Sequence, residues 1–267
     1  MLRVMIFTAI AAGLATGVVA DETPSPPRAP FREAIRTFAA DGRYLLTFPA
    51  RTSARGAGWA AGFLAASALA MNRDVEIRDQ VIDSDSRTAG RIARTFEPLG
   101  RLPVEAAALG AFYLTGRAAG SVGARSAAAT AFESYLWAGI AVSVVKAGFG
   151  RERPGSGSGE GRFFAGDTIF PSGHTCRSFA IAAVVADRGG RGAAWIAYTA
   201  ATLTGLSTVQ EDLHWGSDVV AGAGLGLAIG RGIASRHPGR AATAPRAGRA
   251  TIELAPLPGG AAFRLAF

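Results

Sequence analysis

Lysine, histidine and cysteine are scarce in this strongly basic sequence. Lys146 is the only lysine among the 28 basic residues, and the 267-residue chain holds three histidines and one cysteine, Cys176. One cysteine excludes an intramolecular disulfide. The formal net charge of +8 favours an anionic partner, such as a phosphate or an anionic lipid. The arginines are scattered rather than gathered into a stripe with aromatic residues between them, which disfavours a nucleic acid.

A secretory signal is indicated at the N-terminus. Arg3 precedes an apolar run that ends at Val19, and small residues lie at the expected cleavage point before Asp21. We therefore expect residues 1–20 to be a cleaved export signal and the mature protein to reside in the cell envelope. An uncleaved membrane anchor is the alternative, although the apolar run is short for a membrane span.

Helical periodicity dominates the rest of the sequence, which has no alternating strand pattern and few clusters of β-branched residues. We predict an all-α fold in which a bundle of about six core helices covers residues 56–233. A linker and an N-terminal helical segment at 21–55 precede the bundle, and a basic tail at 234–267 follows it. The predicted core helices lie at about 57–71, 103–116, 128–148, 173–187, 193–208 and 214–233.

Three further segments have patterns of their own. Residues 74–97 are strongly charged and carry one apolar face, which predicts an amphipathic segment on a surface. The helix that starts near Phe31 is expected to end near Ala40. In the tail, Pro258 and Gly259 lie between two short strand-like segments, which predicts a β-hairpin.

Helix length leaves membrane insertion open. Each predicted helix has an apolar stretch slightly below the roughly 20 residues that a bilayer span needs. Six spanning helices behind a cleaved signal would also place the arginines after residue 187 outside, against the positive-inside tendency. We favour an integral or tightly associated inner-membrane protein, with a soluble periplasmic bundle as the alternative. The small residues from Ala221 to Gly226 favour close helix packing rather than a nucleotide-binding loop.

His214 and Asp218 lie four residues apart at the start of the last predicted core helix. Residues with this spacing share one face of a helix, so Asp218 can hold the His214 imidazole in one tautomer. The other ring nitrogen would then be free to attack, as in an activated nucleophile. A purely structural contact between a histidine and a carboxylate gives the same pattern.

Lys146 and Arg153 stand at the end of the predicted helix 128–148, and we expect Pro154 to end that helix. Lys146 offers a compact charge, and Arg153 offers a planar fork that suits two phosphate oxygens. The alternative is that both cations only complement the dipole of the helix C-terminus.

Ser172, Gly173 and His174 open the next predicted helix. Free backbone amides at a helix start bind anions, Ser172 adds a hydroxyl donor, and Gly173 lets a phosphate approach the backbone. His174, with an ordinary pKa near 6.5, suits the protonation of a leaving oxygen. An ordinary helix cap followed by an exposed histidine is the alternative.

Together these stretches resemble the type 2 phosphatidic acid phosphatase and haloperoxidase superfamily. The family motifs are Lys-x6-Arg-Pro, Pro-Ser-Gly-His and Ser-Arg-x5-His-x3-Asp. They correspond here to Lys146 with Arg153-Pro154, to Pro171-Ser172-Gly173-His174, and to Ser207-Thr208 with His214 and Asp218. Order and spacing match in all three motifs, and the resemblance covers about residues 56–233.

The resemblance implies an all-helical core and metal-independent hydrolysis of a phosphate ester without a cofactor. By that resemblance His214 would be the nucleophile that forms a phosphohistidine, Asp218 its orienting partner, and His174 the general acid. The residues implied to hold the phosphate are Lys146, Arg153, Ser172 and Gly173. The implied substrate is a phosphomonoester, or a lipid phosphate or pyrophosphate of the phosphatidate or polyprenyl type.

One departure from the family pattern is Thr208, which stands where the family has arginine. Removing one preorganised donor in other enzymes costs about 2.7–4 kcal/mol of transition-state stabilisation. We expect either reduced activity or compensation by another arginine, with Arg177 as the first candidate and Arg151 as the second. A non-catalytic envelope protein that binds phosphate or anionic lipid is one alternative function, and a vanadate-dependent haloperoxidase is another.

Overall fold

Helices make up most of the computed structural model, which describes residues 31–83, 86–156 and 160–238, together with the backbone of 251–257 and 260–266. The α-helices of these residues are α1 (Phe31–Arg51), α2 (Ala54–Met71), α3 (Asp74–Asp83), α4 (Arg87–Phe96), α5 (Leu102–Ala118), α6 (Val122–Phe149), α7 (Gly173–Gln210) and α8 (Gly216–Arg236). A 3₁₀ helix, Glu97–Gly100, joins α4 to α5. The predicted all-α fold is confirmed, whereas the predicted signal at 1–20 lies outside the described residues.

Several predicted boundaries were wrong. The helices expected at 173–187 and 193–208 are continuous in α7 apart from Gly190, whose φ of 73° and ψ of −171° are not helical, so the expected break lies at a single residue rather than in a loop. The charged segment 74–97 forms two short helices and the start of the 3₁₀ helix. The first helix continues past Ala40 to Arg51, and its second half packs on α8, where Leu45 and Tyr44 lie beside Gly232.

The backbones of α7 and α8 approach each other closely. A Cβ built on Gly222 would lie 2.6 Å from the Ser172 carbonyl oxygen, and the next two glycines of the same helix face would also collide with the α7 backbone. These contacts pair Gly226 with Cys176 and Gly230 with Ala180. The Ser172 amide donates to the Asp218 carbonyl over 3.0 Å. Small residues therefore bring the starts of α7 and α8 together, as the sequence predicted.

The central helix α6 completes the core against α7 and α8. A buried apolar cluster joins these three helices through Ala138, Val142, Cys176, Ala180, Ile229 and Ile233. The helix ends at Phe149 because Gly150 adopts a left-handed conformation with φ of 49°. The expectation that Pro154 ends this helix was therefore wrong.

One helix of the described residues, α6, is long and apolar enough to cross a membrane, with a mean hydropathy of 1.4. Length and composition of this kind also suit the core helix of a soluble bundle, so this helix alone is weak evidence for a span. Large apolar side chains are nevertheless exposed on the outer faces of several helices: Trp59, Leu64, Leu69, Leu114, Val144, Trp195 and Leu206.

The C-terminal residues form a two-stranded antiparallel hairpin, β1 (Thr251–Leu257) and β2 (Gly260–Ala266). Thr251 pairs with Ala266, and Leu257 pairs with Gly260. The hairpin is the one expected around Pro258 and Gly259, with longer strands than the sequence indicated.

Candidate active site

His214 lies in the loop before α8, because that helix begins at Gly216. The prediction that His214 and Asp218 share a helix face was therefore wrong, although the contact itself is present. The Nδ1 atom of His214 lies 3.4 Å from Asp218 Oδ2. Asp218 closes a capping box, in which the same oxygen accepts the Trp215 amide at 3.0 Å. The helix cap thus also orients the histidine, which is 6% exposed.

Thr208 fixes the backbone that carries His214. Its carbonyl oxygen accepts the amides of Leu213 and His214 at 2.9 and 3.2 Å. Its side chain is fully buried, and the hydroxyl donates to the Gly205 carbonyl at 2.7 Å. The hydroxyl proton is therefore used inside α7, and the residue contributes to the site through its main chain.

His174 faces His214 from the first turn of α7. The two ring centroids are 6.3 Å apart with an interplanar angle of 66°. The Nε2 atom of His174 is buried and makes no hydrogen bond to a described residue, although Glu97 Oε1 lies 3.5 Å away. Burial, followed by the charges of His214 and Arg177, lowers the pKa of His174 to about 4.

The pKa of His214 is also lowered. Burial is the main cause, and the hydrogen bond and charge of Asp218 oppose it. A lowered pKa keeps the imidazole neutral near pH 7, which is the form that can act as a nucleophile.

Ser172 caps the N-terminus of α7. Its hydroxyl oxygen accepts the Thr175 amide at 3.4 Å and the Thr175 hydroxyl at 3.0 Å. The next residue, Gly173, borders the predicted cations, because a Cβ there would lie 3.0 Å from Arg177 Nη1 and 4.0 Å from Lys146 Cε. A side chain at 173 would enter the space between these two cations.

Two cations border this helix start, Arg177 and Lys146. Lys146 donates from Nζ to the Thr168 carbonyl at 2.8 Å. The exposed Arg153 acts on His214 through its charge, which contributes to the lowered pKa of that histidine. The structure therefore brings Lys146, Ser172, Gly173 and the two histidines together, whereas Arg153 is linked to them by its charge alone.

Arg177 is held with its guanidinium beside the start of α7. Nε donates to Glu105 Oε2 at 2.7 Å, and Nη2 donates to the Gly100 carbonyl at 2.8 Å. Nη1 is the nitrogen beside Gly173. Two of its nitrogens are thus used to orient the third.

Arg151, the second candidate for compensation, has another role. Its side chain donates to Asp218, Asp74, Ser217 and the Gly161 carbonyl. These contacts occupy Nε, Nη1 and Nη2, so the geometry favours an ion-pair role over phosphate binding. Asp74 was missed by the sequence reasoning, since it lies far from the three motifs and no local pattern marks it.

A second titratable cluster lies near the other end of α8. Asp41, Glu133 and His237 offer ligand atoms within 4.8 Å of one another, the one such metal-compatible group among the described residues. Arg236 also donates to Asp41. A cation would therefore have to compete with an arginine that already pairs with one of the carboxylates.

Comparison with known proteins places these residues in a family context. A model of the PAP2 superfamily matches residues 127–241. The chain is similar to the lipid A 1-phosphatase of Porphyromonas gingivalis, with 35% identity over 92 residues, which make up 33% of this chain and 19% of that relative's length. The crystal structure of Aquifex aeolicus LpxE aligns with 59% of this chain and 92% of that chain at 18% identity and a TM-score of 0.47.

Proposed function

Because the chain belongs to the PAP2 superfamily over residues 127–241, we propose that it is a metal-independent phosphatase that hydrolyses a lipid phosphate through a phosphohistidine. The observation that carries this proposal is the pair of facing histidines, 6.3 Å apart, one oriented by a carboxylate and both bordered by cations. Phosphoryl transfer requires mainly positioning and positive charge around the equatorial oxygens.

In the proposed reaction, Nε2 of His214 attacks phosphorus while the bond from phosphorus to the ester oxygen breaks. Protonated His174 gives its proton to that oxygen, and the alcohol leaves. Neutral His174 then accepts a proton from water as the water oxygen attacks phosphorus, the bond from Nε2 to phosphorus breaks, and inorganic phosphate is released. The negative charge of the bound substrate favours the protonated form of His174, which offsets the effect of burial.

Phosphate binding in this proposal falls to Lys146, Arg153, Gly173 and the cap residue Ser172. We assign to Arg177 the charge that the family places at position 208. The supporting observation is the location of Arg177 Nη1 beside Gly173, one helical turn after His174. Thr208 keeps the role of holding the His214 backbone.

The proposed substrate is a phosphorylated lipid at the cell envelope, either a phosphomonoester or a pyrophosphate. The Porphyromonas gingivalis relative is named for action on lipid A, and the matched segment is a minor part of its length. Exposed apolar side chains, including Trp59, Leu64 and Trp195, support an apolar surrounding for the bundle. Tight association with the inner membrane is proposed on the same grounds, and export is proposed from the apolar run within residues 1–20.

The test is phosphate release by purified protein in EDTA, with a soluble aryl phosphate, phosphatidate and a lipid A phosphate as parallel substrates. We expect release from at least one lipid, no loss in EDTA, and no release by His214→Ala. Loss of activity in EDTA that an added divalent cation restores would contradict the metal-independent mechanism. Equal rates for wild type and His214→Ala would contradict the role of His214 as the nucleophile.

A binding protein without catalysis is the second candidate, and Thr208 is the observation that favours it. That candidate predicts phosphate binding with no turnover by wild type. It also predicts that Thr208→Arg, if the variant folds, gains turnover by supplying the missing charge. Turnover by wild type on any of the substrates excludes it.

A further inference from the structure

Arg151 is the most fully bonded arginine near the candidate site. It lies in the loop after α6 and is 2% exposed. Nη1 donates to Asp218 Oδ1 at 2.5 Å and to Ser217 Oγ at 2.7 Å, and Nη2 donates to Asp74 Oδ2 at 2.7 Å. Nε donates to the Gly161 carbonyl at 3.0 Å. Every nitrogen of the guanidinium therefore has a partner.

The two oxygens of Asp218 contact different partners: one contacts Arg151, and the other contacts the loop that carries His214 and Trp215. Oδ1 accepts from Arg151, whereas Oδ2 faces Nδ1 of His214 and accepts the Trp215 amide. A rotation of the carboxylate would break contacts on both sides. Arg151 thus determines which oxygen faces the histidine, and from which direction.

Asp74 anchors Arg151 from outside the family-matched segment. It is the first residue of α3 and is 2% exposed. Oδ1 accepts the Ser217 amide at 2.9 Å, and Oδ2 accepts the Ser217 hydroxyl at 2.5 Å in addition to the Arg151 contact. Asp74, Arg151 and Ser217 form a closed ring of hydrogen bonds at the start of α8.

Aromatic rings restrict the guanidinium further. Its carbon lies 4.9 Å from the centroid of Phe163 and 5.5 Å from the centroid of Trp215. A planar cation between such rings and two carboxylates has little freedom to rotate.

We infer that Arg151 is a positioning residue that fixes Asp218, and through it the Nδ1-protonated tautomer of His214, while Asp74 fixes Arg151. This inference rests on the proposed function, in which Nε2 of His214 is the attacking atom. Asp218 and Asp74 together carry two negative charges and Arg151 one positive charge. One net negative charge therefore remains to stabilise the phosphorylated imidazole, which gains positive charge when Nε2 bonds to phosphorus.

The kinetic test compares Arg151→Met and Arg151→Lys with a matched control, Arg78→Met. Arg78 donates to both oxygens of Asp212 at 2.6 and 2.7 Å and so ties α3 to the loop before His214, but its hydrogen bonds go to Asp212 and Asp79 rather than to Asp218. We expect Arg151→Met to lower kcat by about 10²-fold, as expected for a misplaced nucleophile. KM and the inhibition constant of inorganic phosphate should stay within about threefold, since the phosphate-binding cations are untouched. Arg151→Lys should recover part of the kcat, and Arg78→Met should keep it.

A second measurement does not require turnover. In protein labelled with ¹⁵N-histidine, the ring nitrogens of His214 report the tautomer, and His214→Gln assigns the signal among the three histidines. We expect the Nδ1-protonated form in wild type and Arg78→Met, and a mixture of tautomers in Arg151→Met. If Arg151→Met does not fold, Ser217→Ala removes one partner of Arg151 with less disruption and should shift the tautomer in the same direction.

The outcomes separate this inference from the proposed function. An inactive wild type whose His214 is Nδ1-protonated, but becomes a mixture of tautomers in Arg151→Met, contradicts the function and supports the positioning role. An active wild type, with kcat and tautomer unchanged in Arg151→Met or Ser217→Ala, overturns the positioning role alone. A raised KM and phosphate inhibition constant with unchanged kcat would make Arg151 a phosphate ligand, which also overturns it.

Discussion

A histidine, an arginine and two carboxylates form a cluster at each end of α8, buried at the start of the helix and partly exposed at its end. At the start of the helix the members are His214, Arg151, Asp74 and Asp218. At its end the members are His237, Arg236, Asp41 and Glu133. The composition is the same, and the arrangement of the partners differs.

At the far end, both carboxylates converge on the histidine. Nε2 of His237 lies 2.6 Å from Asp41 and 3.5 Å from Glu133, and Arg236 donates to the other oxygen of Asp41. These contacts connect α1 and α6 to the end of α8. In the candidate site, Arg151 takes one oxygen from each carboxylate, so His214 has a single acidic partner. The two histidines therefore differ in the number of carboxylates that they contact.

We expect the largest functional difference between the two clusters from Asp218→Asn, with Asp41→Asn as its matched control. Both carboxylates are fully buried and both face a histidine. Asp218→Asn should lower kcat on the order of 10³–10⁴-fold, because an amide in the place of the carboxylate favours the wrong tautomer. Asp41→Asn should retain kcat and lower the free energy of unfolding by about 1.5–3 kcal/mol, because a buried carboxylate loses charged hydrogen bonds to the partly exposed Arg236 and His237. Phosphate release and urea denaturation measure the two effects. Equal losses of activity in both variants would make the clusters functionally alike.

A smaller effect is expected from Arg177→Ala, with Arg188→Ala as the control. Both arginines are buried in α7, but Arg188 pairs with Asp187 and the His237 carbonyl near the far cluster. Arg177→Ala should lower kcat/KM about 10²–10³-fold and weaken inhibition by inorganic phosphate, because one charged donor is lost. Arg188→Ala should leave both quantities unchanged. An unaffected Arg177→Ala would show that this arginine does not compensate for Thr208.

The smallest effect concerns the pH dependence of stability. The pKa of His174 is about 4 in the folded protein, against 6.5 for the ordinary side chain, mainly because of burial. Between these values the unfolded chain binds a proton that the folded protein does not, so acidification from pH 6.5 to 4 favours unfolding. We expect a loss of up to roughly 3 kcal/mol in the free energy of unfolding over this interval, which His174→Gln should reduce. Urea denaturation at pH 7 and pH 4.5 measures it. A variant as pH-sensitive as wild type would place the effect on other groups, such as His214.

Much of the site could be predicted from sequence because its residues occupy short motifs at helix ends. Ser172 and Gly173 open a helix, and Asp218 lies three residues after a helix cap. Both are local features, so they are visible in the sequence as fixed spacings. The sequence did not show that the three motifs lie close together in space. Their proximity depends on the contact between α7 and α8, and the glycines predicted close packing without showing which helices meet.

The parts that could not be predicted depend on long-range contacts. Nothing near Asp74 in the sequence shows that it pairs with Arg151, since the pairing depends on where α3 lies against α8. The placement of His214 before the helix, rather than in it, follows from the Asp218 capping bond to Trp215. The sequence indicated the break between residues 187 and 193 but not that it is confined to Gly190, because periodicity does not distinguish a kink from a loop.

The glycine face of α8 has a consequence for how the amino-acid sequence of this fold can diverge in evolution. Gly222, Gly226 and Gly230 bring α8 into contact with the α7 backbone. This contact between main chains helps set the separation between the loop that carries His214 and the first turn of α7, which carries His174. The exposed residues of the outer helices, such as Leu64 and Leu114, are not part of that contact. They could therefore be replaced while the spacing between His174 and His214 is preserved.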